Sequence, residues 1–352
     1  MTITIEQQQN VQAGDVWTLG RHRLLCGDST DERSIITALG GREARLTVTS
    51  PPYGVGKEYE KQGVEPWREL VHDVIYAIKD HTRIICWNIA DLFCTGTQFI
   101  EPTSLYSTQM MSDAGFGCMY IRLWKKPGAN FAGVNPYHLV SMKPVQEYEW
   151  IIGYARRDYE KDFRPIQEEL RVEAEKAGLD NKILKAVTGA GFMYGHWFTP
   201  HQWSLISKEN YEKIQAYCLE RGLDAFGAPW SFYKDRFDRA NIFQKTLTQD
   251  ERRDWGQWGI WSMNTVGKRD GHPAAFPEEL PARCIKMHTR PGDVVLDPFG
   301  GSGTTLIAAE KLDRDAVLVE KDPAYCGLIL RRYEKEIGVK PELVRRSIVI
   351  EK

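Results

Sequence analysis

The sequence predicts an α/β fold, an open and mostly parallel sheet with helices on both sides and a mainly helical region inserted into it. Three observations predict it. Short apolar runs alternate with amphipathic stretches in the N-terminal third and again near the C-terminus. A glycine-rich turn follows one of the C-terminal runs. Between residues 155 and 255 the alternation gives way to a charged, aromatic texture.

Taken in chain order, Arg23-Leu24-Leu25-Cys26 reads as a strand leading into Gly27-Asp28-Ser29, and residues 31–39 as a helix capped by Ser or Thr. Leu46-Thr47-Val48-Thr49 is a second strand, ending on the turn Ser50-Pro51-Pro52-Tyr53. A helix over 67–81 and strands at 83–87, 120–124 and 148–152 follow. Within the insert, 168–185 has the spacing of one amphipathic helix. Asp293-Val294-Val295-Leu296-Asp297 is a buried parallel strand, because an uninterrupted apolar run implies cover on both faces. Pro298-Phe299-Gly300-Gly301-Ser302-Gly303 must turn tightly, and a helix over 304–312, a strand at 316–319 ending in Glu320 and a helix over 323–337 complete the unit. The expected division is 15–154 with 256–345 for the sheet domain, 155–255 for the insert, and 1–14 as a flexible extension.

Composition narrows the class. The 352 residues are 42% hydrophobic and 27% charged, enough for a full core, and contain no apolar run long enough to span a bilayer. Residues 1–14 are polar and lack an apolar signal core, so a cytoplasmic protein is expected. Seven dispersed cysteines without a Cys-x-x-Cys pair read as reduced thiols, and no metal site is expected. The net charge of −2 neither demands nor forbids a nucleic-acid partner, since a basic cleft can sit on a neutral molecule.

The glycine turn is compatible with several nucleotide-binding sheets. It lacks the third glycine of the dinucleotide fingerprint, and no Gly-Lys-Ser/Thr follows it. A cofactor with an amino-acid tail and a nucleoside, but no phosphate, fits better. The start of the helix at Thr304 faces its carboxylate, and Glu320 its ribose hydroxyls. The Ser50-Pro51-Pro52-Tyr53 turn alone would be an ordinary rigid loop.

Together, Thr49-Ser50-Pro51-Pro52-Tyr53 and Asp297-Pro298-Phe299-Gly300-Gly301-Ser302-Gly303-Thr304-Thr305 resemble the amino-directed, S-adenosylmethionine-dependent DNA methyltransferases. The order, catalytic loop first and cofactor loop last, resembles their β class. The resemblance implies a Rossmann-like methyltransferase sheet, circularly permuted, with the insert as a target-recognition region. Ser50, Pro51, Pro52 and Tyr53 are the implied catalytic residues. Asp28, Asp297, Pro298, Phe299, Gly300, Gly301, Ser302, Gly303, Thr304 and Glu320 are the implied cofactor site. His272-Pro273-Ala274-Ala275-Phe276-Pro277 resembles the segment that packs over the cofactor.

An exocyclic amine is a poor nucleophile because its lone pair is delocalised into the ring. The Ser50 hydroxyl and the Pro51 carbonyl are suited to accept its hydrogens, and Tyr53 to stack on a flipped base. Serine at position 50 resembles the cytosine-N4 group of that family, which implies N4 of cytosine as the target, with N6 of adenine the alternative because some adenine enzymes share the serine. Carbon-5 transfer needs a Pro-Cys nucleophile, and none of the cysteines follows a proline. Trp124 and Lys125, with His196, Trp197 and Trp203 of the insert, are candidate substrate contacts; the rival reading makes the tryptophans core. Double-stranded DNA is the expected partner, within a restriction-modification setting, and no heptad supports or excludes a dimer. An RNA or protein-glutamine methyltransferase and a non-catalytic cofactor-binding subunit are the competing classes.

Overall fold

The computed structural model describes residues 11–52, 64–94, 99–127, 148–157, 166–199, 204–240, 242–265 and 276–345. The chain forms two compact units, Met1–Arg157 with Thr246–Lys352, and Asp158–Lys245.

In the first unit the strands are β1 (Val16–Leu19), β2 (His22–Cys26), β3 (Ala44–Thr49), β4 (Thr82–Ile89), the short pair β5 (Leu92–Cys94) and β6 (Phe99–Glu101), β7 (Phe116–Lys125), β8 (Tyr148–Arg156), β9 (Ile260–Ser262), β10 (Val294–Asp297), β11 (Asp315–Glu320) and β12 (Glu342–Arg345). Ten of them form one sheet in the order β12-β1-β2-β11-β10-β3-β4-β8-β7-β9. Its centre, β2-β11-β10-β3-β4, is parallel throughout. Thus β10 and β11, late in the chain, lie at the middle of the sheet between strands from the N-terminal third.

The parallel centre follows from composition. All six residues of β3 and all four of β10 are buried, as expected where helices cover both faces. Helices α1 (Glu32–Leu39), α2 (Val64–Ile78) and α3 (Thr103–Asp113) bring Ile35, Leu39, Val71, Ile75 and Met111 into one core with Leu25, Ile85, Trp87, Leu296 and Val317. Neighbouring strand residues point the other way, and there Gly300 approaches Leu318 and Ile329.

The second unit contains α4 (Ile166–Lys176), α5 (Asn181–Thr188), α6 (Lys208–Glu220) and α7 (Trp230–Ala240), with a helical turn at Tyr194–Trp197. They enclose a core of their own, with Leu170, Trp197, Phe198, Tyr211, Ile214 and Phe226. The sheet unit is completed by α8 (Glu279–His288), α9 (Thr304–Lys311) and α10 (Pro323–Ile337).

Four details differ from the sequence expectation. The single helix expected over 168–185 is two helices, because Gly178 takes φ +64° and Asp180 caps the second through a 2.7 Å bond from the Ile183 N–H. Asp31, not Ser or Thr, caps α1 and accepts the Arg33 N–H at 3.0 Å. Residues 11–14 are packed rather than loose: Val11 is buried and the Gly14 N–H donates to Cys26 at 2.7 Å. Residues 246–255 belong to the sheet unit, where the Trp255 carbonyl accepts the indole N–H of Trp261 at 3.0 Å.

Candidate active site and cofactor loop

The carboxyl ends of adjacent parallel strands are where an open sheet offers a ligand crevice. Here four such ends stand in a row: β2, β11, β10 and β3. Each releases one of the segments singled out in the sequence: 27–30, 320–322, 298–303 and 50–52.

Asp297 ties two of them together. It ends β10, whose Leu296 pairs with Thr47 of β3, so the two strand ends lie side by side. The Thr49 hydroxyl donates to Asp297 Oδ1 at 2.7 Å, and the Thr305 hydroxyl to Oδ2 at 2.6 Å. The Phe299 N–H adds a 3.1 Å bond to Oδ1. Burial pushes the carboxyl up to about 7, against these donors, which pull it down. With three protein donors on its two oxygens, Asp297 braces the loops by geometry. Pro51 beyond it is buried, Ser50 and Pro52 are half-buried, and Tyr53 lies outside the described residues.

The turn after β10 closes with a 2.8 Å bond from the Gly303 N–H to the Gly300 carbonyl. Gly301 and Gly303 have φ of +52° and +75°, a region that costs other residues about 1–2 kcal/mol. A Cβ on Gly303 would also meet Ile329 at 3.3 Å. Gly303 gives the start of α9 no side-chain cap, so the first N–H groups of this helix remain available to an anion. Glu320 closes the other side: Oε2 accepts the Gly301 N–H at 2.7 Å and Oε1 the Asp322 N–H at 2.9 Å. Its pKa is raised by burial, with the two N–H donors opposing.

Asp28 bridges β2 and β11. It pairs with Lys321 at 2.6 Å and accepts the Thr30 hydroxyl at 2.8 Å. Burial raises its pKa, but Lys321 and Thr30 outweigh burial and the net shift is downward. The Ser29 hydroxyl donates to the Pro298 carbonyl, binding the Asp28 segment to the glycine turn.

The candidate substrate residues fall in both units. Trp124 is buried in β7 and donates its indole N–H to Met263 at 2.9 Å, whereas Lys125 is exposed. In the second unit His196 is exposed, and Trp197, 5% exposed, is part of the core. For Trp124 and Trp197 the geometry fits the core reading, since neither ring offers a face for a base. Trp203 and residues 272–275 lie outside the described residues; Pro277 is buried.

Sequence reasoning placed Thr49 in the catalytic loop and Thr305 at the helix start that faces the cofactor carboxylate, but found neither their bonds to Asp297 nor the contacts of Ser29 and Lys321. A hydroxyl beside a conspicuous motif is a weak signal, and its partner here is distant in sequence: Thr49 and Asp297 are 248 positions apart.

A family model described as DNA methylase, of the N6/N4 type, matches residues 44–331. The chain belongs to the N6/N4 DNA methylase family. Its reaction is methyl transfer from S-adenosylmethionine to an exocyclic amino nitrogen of a DNA base. Among similar proteins is the type II methyltransferase M.BglI of Bacillus subtilis, 28% identical over 317 residues, covering 86% of this chain and 84% of that one. The type II methyltransferase M.Cfr9I of Citrobacter freundii is 36% identical over 118 residues, 29% of this chain and 39% of that one. A solved structure described as a DNA modification methylase from Thermus thermophilus shares the fold, with TM-score 0.51 and 20% identity, covering 90% of this chain and 95% of that one. Among the described residues no helix is long and apolar enough to cross a membrane.

Proposed function

We propose that this methyltransferase acts on N4 of cytosine in double-stranded DNA, with Ser50, Pro51, Pro52 and Tyr53 forming the catalytic loop. The observation that carries the reading is the Asp297 brace, which fastens the end of β3 to the start of the glycine turn. A loop that accepts amine hydrogens and a loop that presents a methyl donor must be held in register for direct transfer.

Bound S-adenosylmethionine supplies an electrophilic methyl group on a sulfonium centre. The chain's own residues suit its parts. The uncapped start of α9 at Thr304 and Thr305 receives the tail carboxylate, and glycines at 300, 301 and 303 let the backbone approach. Glu320 keeps lone pairs for ribose hydroxyls, and Asp28, a half-buried carboxylate held by Thr30 and Lys321, keeps lone pairs for the adenine amine. On the target side, the Ser50 hydroxyl and the Pro51 carbonyl accept the amine hydrogens and favour a pyramidal nitrogen. The rings of Pro51 and Pro52 fix their φ and so hold that carbonyl in one orientation. Tyr53 supplies the stacking face for the flipped base. The nitrogen would attack the methyl carbon directly as its bond to the sulfonium sulfur breaks, the neutral thioether leaving and the surplus amine proton passing to solvent, with no covalent enzyme intermediate.

Sequence recognition is assigned to the unit Asp158–Lys245, through exposed polar residues such as His196 and not through Trp197. The cellular setting that accords with DNA as substrate is the cytoplasm.

Nucleoside mass spectrometry of DNA incubated with the protein and S-adenosylmethionine tests the reading. N4-methylcytosine is the expected product. N6-methyladenine would overturn the base assignment, and methyl incorporation into RNA alone would overturn DNA as substrate.

A further inference from the structure

Arg332 lies in the middle of α10, has been given no role above, and has 4% of its surface exposed. Its Nη1 donates to the Ser302 carbonyl at 2.8 Å and to the Thr304 hydroxyl at 3.1 Å. Its Nε donates to Glu336 at 2.8 Å, and its buried Nη2 has no hydrogen-bond partner among the described residues. A guanidinium is costly to bury, and an apolar side chain would fill the space without that cost. Glu336 pairs with the charge through Nε, and the Nη1 end of the fork is turned to the glycine turn.

The peptide joining Ser302 to Gly303 leads from the turn into α9. Glycine at 303 removes the steric bar to a rotated peptide, so its orientation rests on two hydrogen bonds: the Gly303 N–H to the Gly300 carbonyl, and Arg332 to the Ser302 carbonyl. A flipped Ser302 carbonyl would leave Arg332 and could turn toward the side where the tail carboxylate is received. Arg332 holds the carbonyl toward α10, and by gripping Thr304 also fixes the first residue of α9. The Ser302 and Thr304 hydroxyls lie 3.2 Å apart, which extends the same network.

We propose that Arg332 is a positioning residue for the cofactor: it locks the Ser302 carbonyl and Thr304 so that the start of α9 presents its N–H groups to the carboxylate of S-adenosylmethionine. The inference rests on the glycine turn being the cofactor site. It predicts an effect on cofactor affinity and little on DNA affinity.

The test is calorimetric binding of S-adenosylmethionine to the full-length protein and to Arg332→Met, Arg332→Lys, Thr304→Val and Glu320→Ala, with steady-state kinetics beside it. Arg332→Met is expected to weaken cofactor binding about tenfold or more, a loss of ~1.4 kcal/mol or more. KM for DNA and kcat at saturating cofactor should stay within about twofold, the pattern of a residue that sets uniform binding. Arg332→Lys, which keeps the charge but not the fork, should fall between. Arg332→Lys and Thr304→Val should combine less than additively, because they break one contact. Arg332→Met binding as tightly as wild type, while Glu320→Ala binds weakly, overturns the role of Arg332 and leaves the site in place. Unchanged binding by both variants overturns the cofactor site itself. Should Arg332→Met fail to fold by circular dichroism, Arg332→Lys and Thr304→Val decide: wild-type affinity in both overturns the proposal.

Discussion

A carboxylate with 1% of its surface exposed and three protein donors around it is held for its geometry, and its proton reports on that geometry. Asp297 titrates at about 7 in the folded protein and near 3.8 in an unfolded chain. Between those values the native state binds the extra proton. The stabilisation from this group is thus complete below the unfolded value and is lost as pH rises through about 7. Asp297→Asn removes the dependence. The stability difference between wild type and this variant, from urea unfolding, should shift in favour of wild type as pH falls from 8 to 5. A flat difference would place the burial of Asp297 in error. Thr49→Val is nearly isosteric and takes away one donor, so at pH 8 it should cost about 1.5–3 kcal/mol, the range for a hydrogen bond to an ionised group. Neither effect was legible in the sequence. Asp297 stood out as the acid ending an apolar run, but its burial depends on Thr49 and Thr305 arriving from two other elements.

At the scale of elements, the parallel centre was legible, with β2, β3, β4, β10 and β11 where strands were expected, whereas β1, β9, β12, α3 and α8 were not anticipated. Pro323 to Ile337 reads as a helix from the proline at its start and the glycine after its end, and α10 has those limits. The helix expected over 168–185 failed for the opposite reason. Its apolar spacing survives the break at Gly178, so periodicity alone cannot reveal two helices. The glycine turn is an element whose conformation, more than its side chains, is its function. Gly303→Ala forces a Cβ against Ile329 in a left-handed backbone, at about 1–2 kcal/mol for the dihedral alone. The expected outcome is S-adenosylmethionine affinity at least about tenfold weaker with only a modest fall in melting temperature. A variant that melts like wild type and binds like wild type would show that the turn tolerates another shape.

For the whole molecule the consequential fact is that Asp158–Lys245 has a core of its own, separate from the one between the sheet and α1, α2 and α3. Sequence texture revealed the insert but set its limits too wide. Trp255 looks like the insert's aromatic residues, although its carbonyl serves Trp261 in the sheet unit. Each core excludes water through its own side chains, so damage to one need not reach the other. Phe198 is fully buried in the second core, where it packs edge-on against Phe226 with ring centroids 6.2 Å apart. Truncating a buried phenylalanine to alanine costs about 3–5 kcal/mol, enough to unfold a unit of this size on its own. Phe198→Ala should therefore melt in two steps and lose most DNA affinity, measured by fluorescence anisotropy with a labelled duplex. Its affinity for S-adenosylmethionine should stay within about twofold of wild type, because every proposed cofactor contact lies in the sheet unit. Parallel loss of both affinities would mean that the two cores fold as one cooperative body, and that division of labour between cofactor and target would have to be abandoned.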